Sequence, residues 1–211
     1  GSLNLETDGE VDTTLGGKAQ FQSDGKLTYD PPASMQSLAM NEFLLDTVSY
    51  TVNDGLGNTD TASVVVRVDG VNDPPTLVAP DTFTLSEDTD AAITGITIAD
   101  VDAGDAPFRA TLDAINSTVT LASVEGLTFL SGDGMADASI VLEGKLSDVK
   151  VAVEGLSLRG TQDFTGSASL AILVDDRSNP GSQDPQTDSH TIDVTVNPVN
   201  DAPTAISLSA S

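Results

Sequence analysis

Thr59–Thr76 reads TDTASVVVRVDGVNDPPT, and Thr187–Thr204 reads TDSHTIDVTVNPVNDAPT. At a fixed offset of 128 residues, nine of these 18 positions are identical. That spacing is the size of a domain, not of a solenoid repeat. In each copy apolar residues alternate with others (Val64, Val66, Val68; Ile192, Val194, Val196), the period-two pattern of a strand with one buried face. The strand then meets V-N-D-x-P-T, where Pro75 and Pro203 stop it and stiffen the chain. The hexapeptide reads as a linker between domains. It divides the chain into a repeat over 1–71, a complete repeat over 72–198, and a linker with the first strand of a following repeat over 199–211. The first repeat is short for its kind, so it is expected to be truncated at its N-terminus.

Working outward, the remaining sequence is strand-rich. Asp8-Gly9, Asp24-Gly25, Asp54-Gly55 and Asp133-Gly134 punctuate alternating runs such as Leu27–Asp30, Thr47–Val52, Ala92–Ile98 and Ala168–Val174, and such pairs read as hairpin turns. Many short strands without long helices predict an all-β chain of tandem Greek-key β-sandwiches. One short helix is expected in the second domain. Leu146, Val149, Val153 and Leu156 share one helical side, with Ser147 as the expected N-cap and Gly155 past the end.

Charge narrows the function. Asp and Glu number 33 against 8 Lys and Arg, for a formal net charge of -25. Phosphate backbones and anionic membranes need cationic side chains, so neither nucleic acid nor membrane is expected as a partner. So acidic a compact chain repels itself unless external salt or bound divalent cations relieve the field, and both point outside the cytosol. There is no Cys, hence no disulfide and no thiolate metal site. No apolar run reaches the ~20 residues of a membrane span. Gly1-Ser2 reads as an expression scar, which makes the chain a piece of something longer.

Four stretches carry a family resemblance: Asp46–Gly55 (DTVSYTVNDG), the strand and linker at Thr59–Thr76, Ser86–Asp90 (SEDTD) followed by Ile98–Asp105 (IADVDAGD), and Gly126–Asp176 with its short helix and Phe164–Gly166 step. In this order they resemble the cadherin-like and VCBS-type tandem repeat domains of large bacterial surface adhesins. The resemblance implies an Ig-like sandwich and a calcium-stiffened spacer role in a secreted or cell-surface protein. It also implies an alternative, a carbohydrate-binding module. Neighbouring repeats of the same chain are the expected partners, with a cell-surface or polysaccharide ligand beyond them, and the chain is expected to be monomeric.

Calcium takes six to eight oxygen ligands from carboxylates, amides and backbone carbonyls. The first junction offers Asp69, Asn72 and Asp73 from the linker, Asp100 and Asp102 from a D-x-D loop, and Asp175 at a strand end, with Glu42 reaching from the base of the first domain. The second offers Glu87, Asp163, Asn200 and Asp201; Asp54 would face a junction before the first domain. Pro74 and Ala202 stand where true cadherins place further ligands. Against these assignments stands a plainer reading, in which Asp and Asn at strand ends are turn residues and proline alone stiffens the linker.

No catalytic constellation is visible. His190, the single histidine, is expected to face solvent from a strand, and neither G-x-S-x-G nor H-E-x-x-H occurs. The chain is read as a non-enzyme. A sugar platform needs aromatic faces, and the chain has two Tyr, six Phe and no Trp. Tyr50, Phe83 and Phe129 read as core, which leaves Tyr29 the least committed.

Overall fold

A computed structural model of the chain describes residues 4–5, 9–22, 24–177 and 186–200. Asp8, Asp201 and the tail 205–211, named above for a turn, a ligand and a strand, lie outside them. Among the described residues the chain is all-β with one α-helix, and it separates into two units. The first holds residues up to Asp73 together with Val101–Gly104; the second holds Pro74–Asp100, Asp105–Arg177 and the last strand.

In the first unit, β1 (Asn4–Leu5), β5 (Phe43–Asn53) and β6 (Thr59–Asp69) form one antiparallel sheet. β2 (Gly9–Asp12), β3 (Lys18–Phe21) and β4 (Leu27–Asp30) form another. β5 and β6 pair without interruption from Phe43–Asp69 to Asn53–Thr59. The Asp54 carboxylate closes this hairpin: it accepts the amides of Leu56 (2.7 Å) and Asn58 (3.1 Å) and the Asn58 side-chain amide (2.6 Å). The Asn58 contact first, then the backbone amides, hold its carboxyl below the usual carboxylate range. Asp24-Gly25 turns β3 into β4 in the same manner, with Gly25 at φ 83°. Among the described residues, Ala19, Met35, Val48 and Ala103 are the buried apolar side chains of this unit.

The second unit is larger. Its main sheet runs β13 (Thr128–Ser131), β14 (Ser139–Lys145), β11 (Pro107–Ile115), β16 (Gly166–Asp175), β17 (Thr187–Asn197), β8 (Thr82–Ser86). β12 (Ser117–Thr120), β15 (Ser157–Gly160) and β9 (Asp90–Ala92) make a second sheet, and β7 (Thr76–Val78) pairs with β10 (Thr97–Ala99). The alternation is literal in β11, where Phe108, Ala110 and Leu112 are all buried. β17 pairs antiparallel with β16 and parallel with β8.

Several expectations change. The run Ala92–Ile98 is two strands, not one: Gly95 at φ 87° breaks the extended backbone, while Ile93, Ile96 and Ile98 all remain buried. The helix α1 (Leu146–Glu154) buries Val149, Ala152 and Val153. Its N-cap is Lys145, without a side-chain cap, and Ser147 lies inside it. β14 runs straight into the helix, so no loop residue is placed to cap it; Asp148 in the first turn complements the helix dipole instead. His190 is half-buried rather than solvent-facing, with Nε2 3.4 Å from Asp81. Tyr50, Phe83 and Phe129 are half-buried, not fully in the core.

Candidate functional site

The V-N-D linker leaves β6 under tight steric control. Gly70 donates its N–H to the Glu42 carbonyl at 2.9 Å. A Cβ there would press into the backbone carbonyls of Leu38 and Ala39. Only glycine fits, and this fixes the direction in which the next residues leave. Asn72 follows at 9% exposure and Pro75 is buried. The Asp73 N–H donates to Asp102 Oδ2 at 3.3 Å, and Asp102 is 3% exposed. The Asp73 backbone thus meets the buried Asp102 carboxylate within the first unit, one residue after buried Asn72.

The other expected ligands of the first junction are engaged elsewhere or grouped separately. Asp69 is exposed and pairs with the Arg67 guanidinium at 2.6 Å. Glu42 is exposed and accepts the Ala39 amide at 3.1 Å. Asp100 is half-buried and groups with the second unit, as does Asp175, whose Oδ1 accepts the Arg177 amide at 2.7 Å. Among the described residues, no three His, Cys, Asp or Glu side chains gather into a ready metal-binding group.

In the two hairpins Asn53 pairs with Thr59 and Asp175 with Thr187, so Asp54 and Asp176 occupy corresponding positions. Asp176 is buried, and its Oδ1 accepts the Gln186 amide at 3.0 Å.

The second linker copy is held differently. Glu87, 4% exposed, accepts the Val199 N–H at 2.8 Å, and its own N–H donates to the Asn197 carbonyl at 2.9 Å. Asn200 is exposed, and Asp163 sits exposed in a left-handed turn at φ 57°. Glu87→Ala is expected to destabilise the second unit by about 1–3 kcal/mol in urea unfolding, since it leaves a linker amide without its acceptor. Glu87→Gln retains an acceptor oxygen and should lose less; equal loss in both would mean that the Val199 contact contributes nothing.

The most developed polar site is one that the sequence reading did not single out. Asp46, on β5, is fully buried. Its Oδ2 accepts the hydroxyls of Thr13 and of Tyr29 (2.9 Å). Its Oδ1 accepts the Thr14 hydroxyl (2.9 Å) and the amides of Leu15 (2.9 Å) and Thr47 (2.8 Å). The stretch Thr13–Gly17 (TTLGG) supplies three of these donors by folding tightly on itself: Thr13 N–H donates to the Gly17 carbonyl at 3.0 Å, and Gly16 takes φ 90°. Burial alone would raise the Asp46 carboxyl. The donors from Thr13, Leu15, Tyr29 and Thr14 outweigh it and hold the group at about 2. Burial, and then the Asp46 contact, push the Tyr29 phenol up to about 12. The signal for this site was present in the paired threonines before Gly16-Gly17 and in an aspartate within an otherwise inward-facing run.

Residues 2–67 match the family model described as bacterial Ig domain. Over these residues the chain is similar to a bacterial Ig domain. The matched stretch contains the whole Asp46 network and ends within β6. No curated protein matches the chain. Among solved structures, human mucin-like protocadherin EC1-2 is similar at 16% identity and TM-score 0.43, over 94% of this chain and 84% of that one. Zebrafish RET cadherin-like domains 1 to 4 are similar at 14% identity and TM-score 0.34, over 94% of this chain and 41% of that one. CfaE, the adhesive subunit of the CFA/I fimbria of enterotoxigenic Escherichia coli, is similar at 10% identity and TM-score 0.37, over 85% of this chain and 66% of that one. Among the described residues, no helix is long and apolar enough to cross a membrane.

Proposed function

We propose that the chain is a non-catalytic spacer or adhesion repeat of a bacterial surface or secreted protein, and that calcium at its linker stiffens the step from one repeat to the next. The observation that carries this reading is that buried Asp102 accepts the N–H of Asp73, the residue that follows buried Asn72 in the chain. The Asp102 carboxylate and the Asn72 amide oxygen are the kind of hard oxygen ligands that a divalent cation such as calcium takes. Asn72 and Asp102 would supply the side-chain ligands. The first unit gathers few carboxylates at this point, so backbone carbonyls would complete the shell. The net charge of -25 favours any bound cation. The partners in this reading are neighbouring repeats and a cell-surface or polysaccharide ligand.

A sugar-binding role draws less support from the aromatic side chains. The Tyr29 hydroxyl is committed to Asp46, and the Phe43 ring carries the Arg67 guanidinium 4.2 Å from its centroid.

Thermal melts in calcium and in EDTA, with solution scattering in both, test the calcium reading. Calcium is expected to raise the melting temperature, by the equivalent of about 2.7 kcal/mol at a hundredfold excess over the dissociation constant. It should also narrow the distribution of lengths. The double variant Asn72→Ala, Asp102→Asn should abolish both effects. Identical melts and identical scattering with and without calcium would rule the reading out.

A further inference from the structure

β6 and β17 occupy the same place in the internal repeat: Thr59–Asp69 and Thr187–Asn197 are bounded at the same offset of 128 residues. Each is the second strand of a long antiparallel hairpin. On its other side, β17 carries β8 in parallel, from Asp193–Thr82 to Asn197–Ser86. The equivalent stretch of β6 is Val65–Asp69. Among the described residues, β6 ends its sheet, in the order β1-β5-β6. The side chains report the same difference. Ile192, Val194 and Val196 are buried, whereas their counterparts Val64, Val66 and Val68 are only half-buried. Phe43, Leu45 and Val65, on the opposite face of the hairpin, are exposed at 49%, 53% and 58%. An edge this long, with no Pro on it and its charges Arg67 and Asp69 paired with each other, presents a row of backbone groups suited to strand addition.

We infer that the Val65–Asp69 edge of β6 accepts one further strand, parallel to it and of the β8 type, from a repeat of the same kind as the second unit. The chemistry of the occupant follows from the existing pair. Phe83 and Leu85 stand opposite Val194 and Val196, and Thr82, Thr84 and Ser86 alternate with them. The incoming segment is therefore extended and uncharged over five residues. It places a large apolar side chain opposite Val66 and another opposite Val68, with Thr or Ser between.

The probe is a capped peptide of the sequence Pro80–Ser86, added in excess to the full chain and followed by hydrogen exchange. Amides of Val65–Asp69 are expected to exchange more slowly, on the order of tenfold, while a peptide carrying Ser in place of Phe83 and Leu85 has no effect. Val66→Thr keeps a strand-forming residue but removes an apolar seat; it should weaken the protection while leaving circular dichroism unchanged. Three results would overturn the inference: no protection at β6, protection confined to β17 through displacement of its resident β8, or protection at β6 that rises with protein concentration and ignores the peptide. The last would assign the edge to a second copy of the same strand.

Discussion

Replacing Asp46 by alanine is expected to unfold the first unit at much lower urea while the second unit persists. The substitution removes one carboxylate and strands five donors: the hydroxyls of Thr13, Thr14 and Tyr29 and the amides of Leu15 and Thr47. Each buried donor without an acceptor costs about 1–3 kcal/mol, and the losses overlap, so about 3–5 kcal/mol is expected in sum. A domain has about 5–15 kcal/mol of stability to lose. With so few fully buried apolar residues, this unit has little else in reserve. Both tyrosines of the chain, Tyr29 and Tyr50, lie in the first unit, and there is no tryptophan. Tyrosine fluorescence therefore reads this unit alone. An unchanged midpoint in Asp46→Ala would show that the network is decorative.

The same site sets a pH window. Asp46 is held near 2 in the fold, against 3.8 for a free carboxyl. A depressed carboxyl stabilises the fold above its unfolded value, and that contribution disappears as pH falls from about 4 toward 2. Tyr29 moves the other way, from 10 to about 12. Its contribution is complete below pH 10 and is lost as pH rises toward 12. Tyrosine-detected melts should show a plateau between these limits, and Asp46→Asn should flatten the acid side.

Gly70→Ala is the second large effect, at about 2–4 kcal/mol, a magnitude typical of forced overpacking. The obstacle is backbone, the carbonyls of Leu38 and Ala39, so no rotamer change relieves it. The segment must shift, and the Gly70–Glu42 hydrogen bond goes with it. Since Asn72 and Asp73 follow immediately, the same variant should blunt any calcium-induced rise in melting temperature. A calcium response that survives while stability falls would separate the linker geometry from ion binding.

The fold was legible wherever periodicity was strong. β6 and β17 stood out through their valines, and Asp54-Gly55 through its turn chemistry. β11 was harder to see: it opens with Pro107 and carries Arg109 and Asp113, so its Phe108-Ala110-Leu112 stripe is diluted by charge. The Ile93–Ile98 stretch misled because isoleucine is apolar both in a strand and in a buried connection, and only Gly95 betrayed the break. For the candidate site, acidic residues were plentiful enough that position along a strand decided little. Asp54 and Glu87 look alike on paper as possible ligands; one closes a turn and the other anchors an outgoing linker. Asp46 escaped notice because its five partners come from three separate segments, which only the folded chain brings together.

The parallel pairing of β8 with β17 has a mechanical consequence. Chain tension on the second unit enters ahead of Thr82 and leaves past Asn197. In the ladder, Thr82 pairs with Asp193 and Ser86 with Asn197, so the two points of pull lie at opposite ends of the same pair of strands. Load is then borne in shear by all of these hydrogen bonds at once, rather than by unzipping them one after another. Resistance to a pull is governed by the unfolding rate and not by equilibrium stability. Five residue pairs placed in this way make the second unit hard to draw apart.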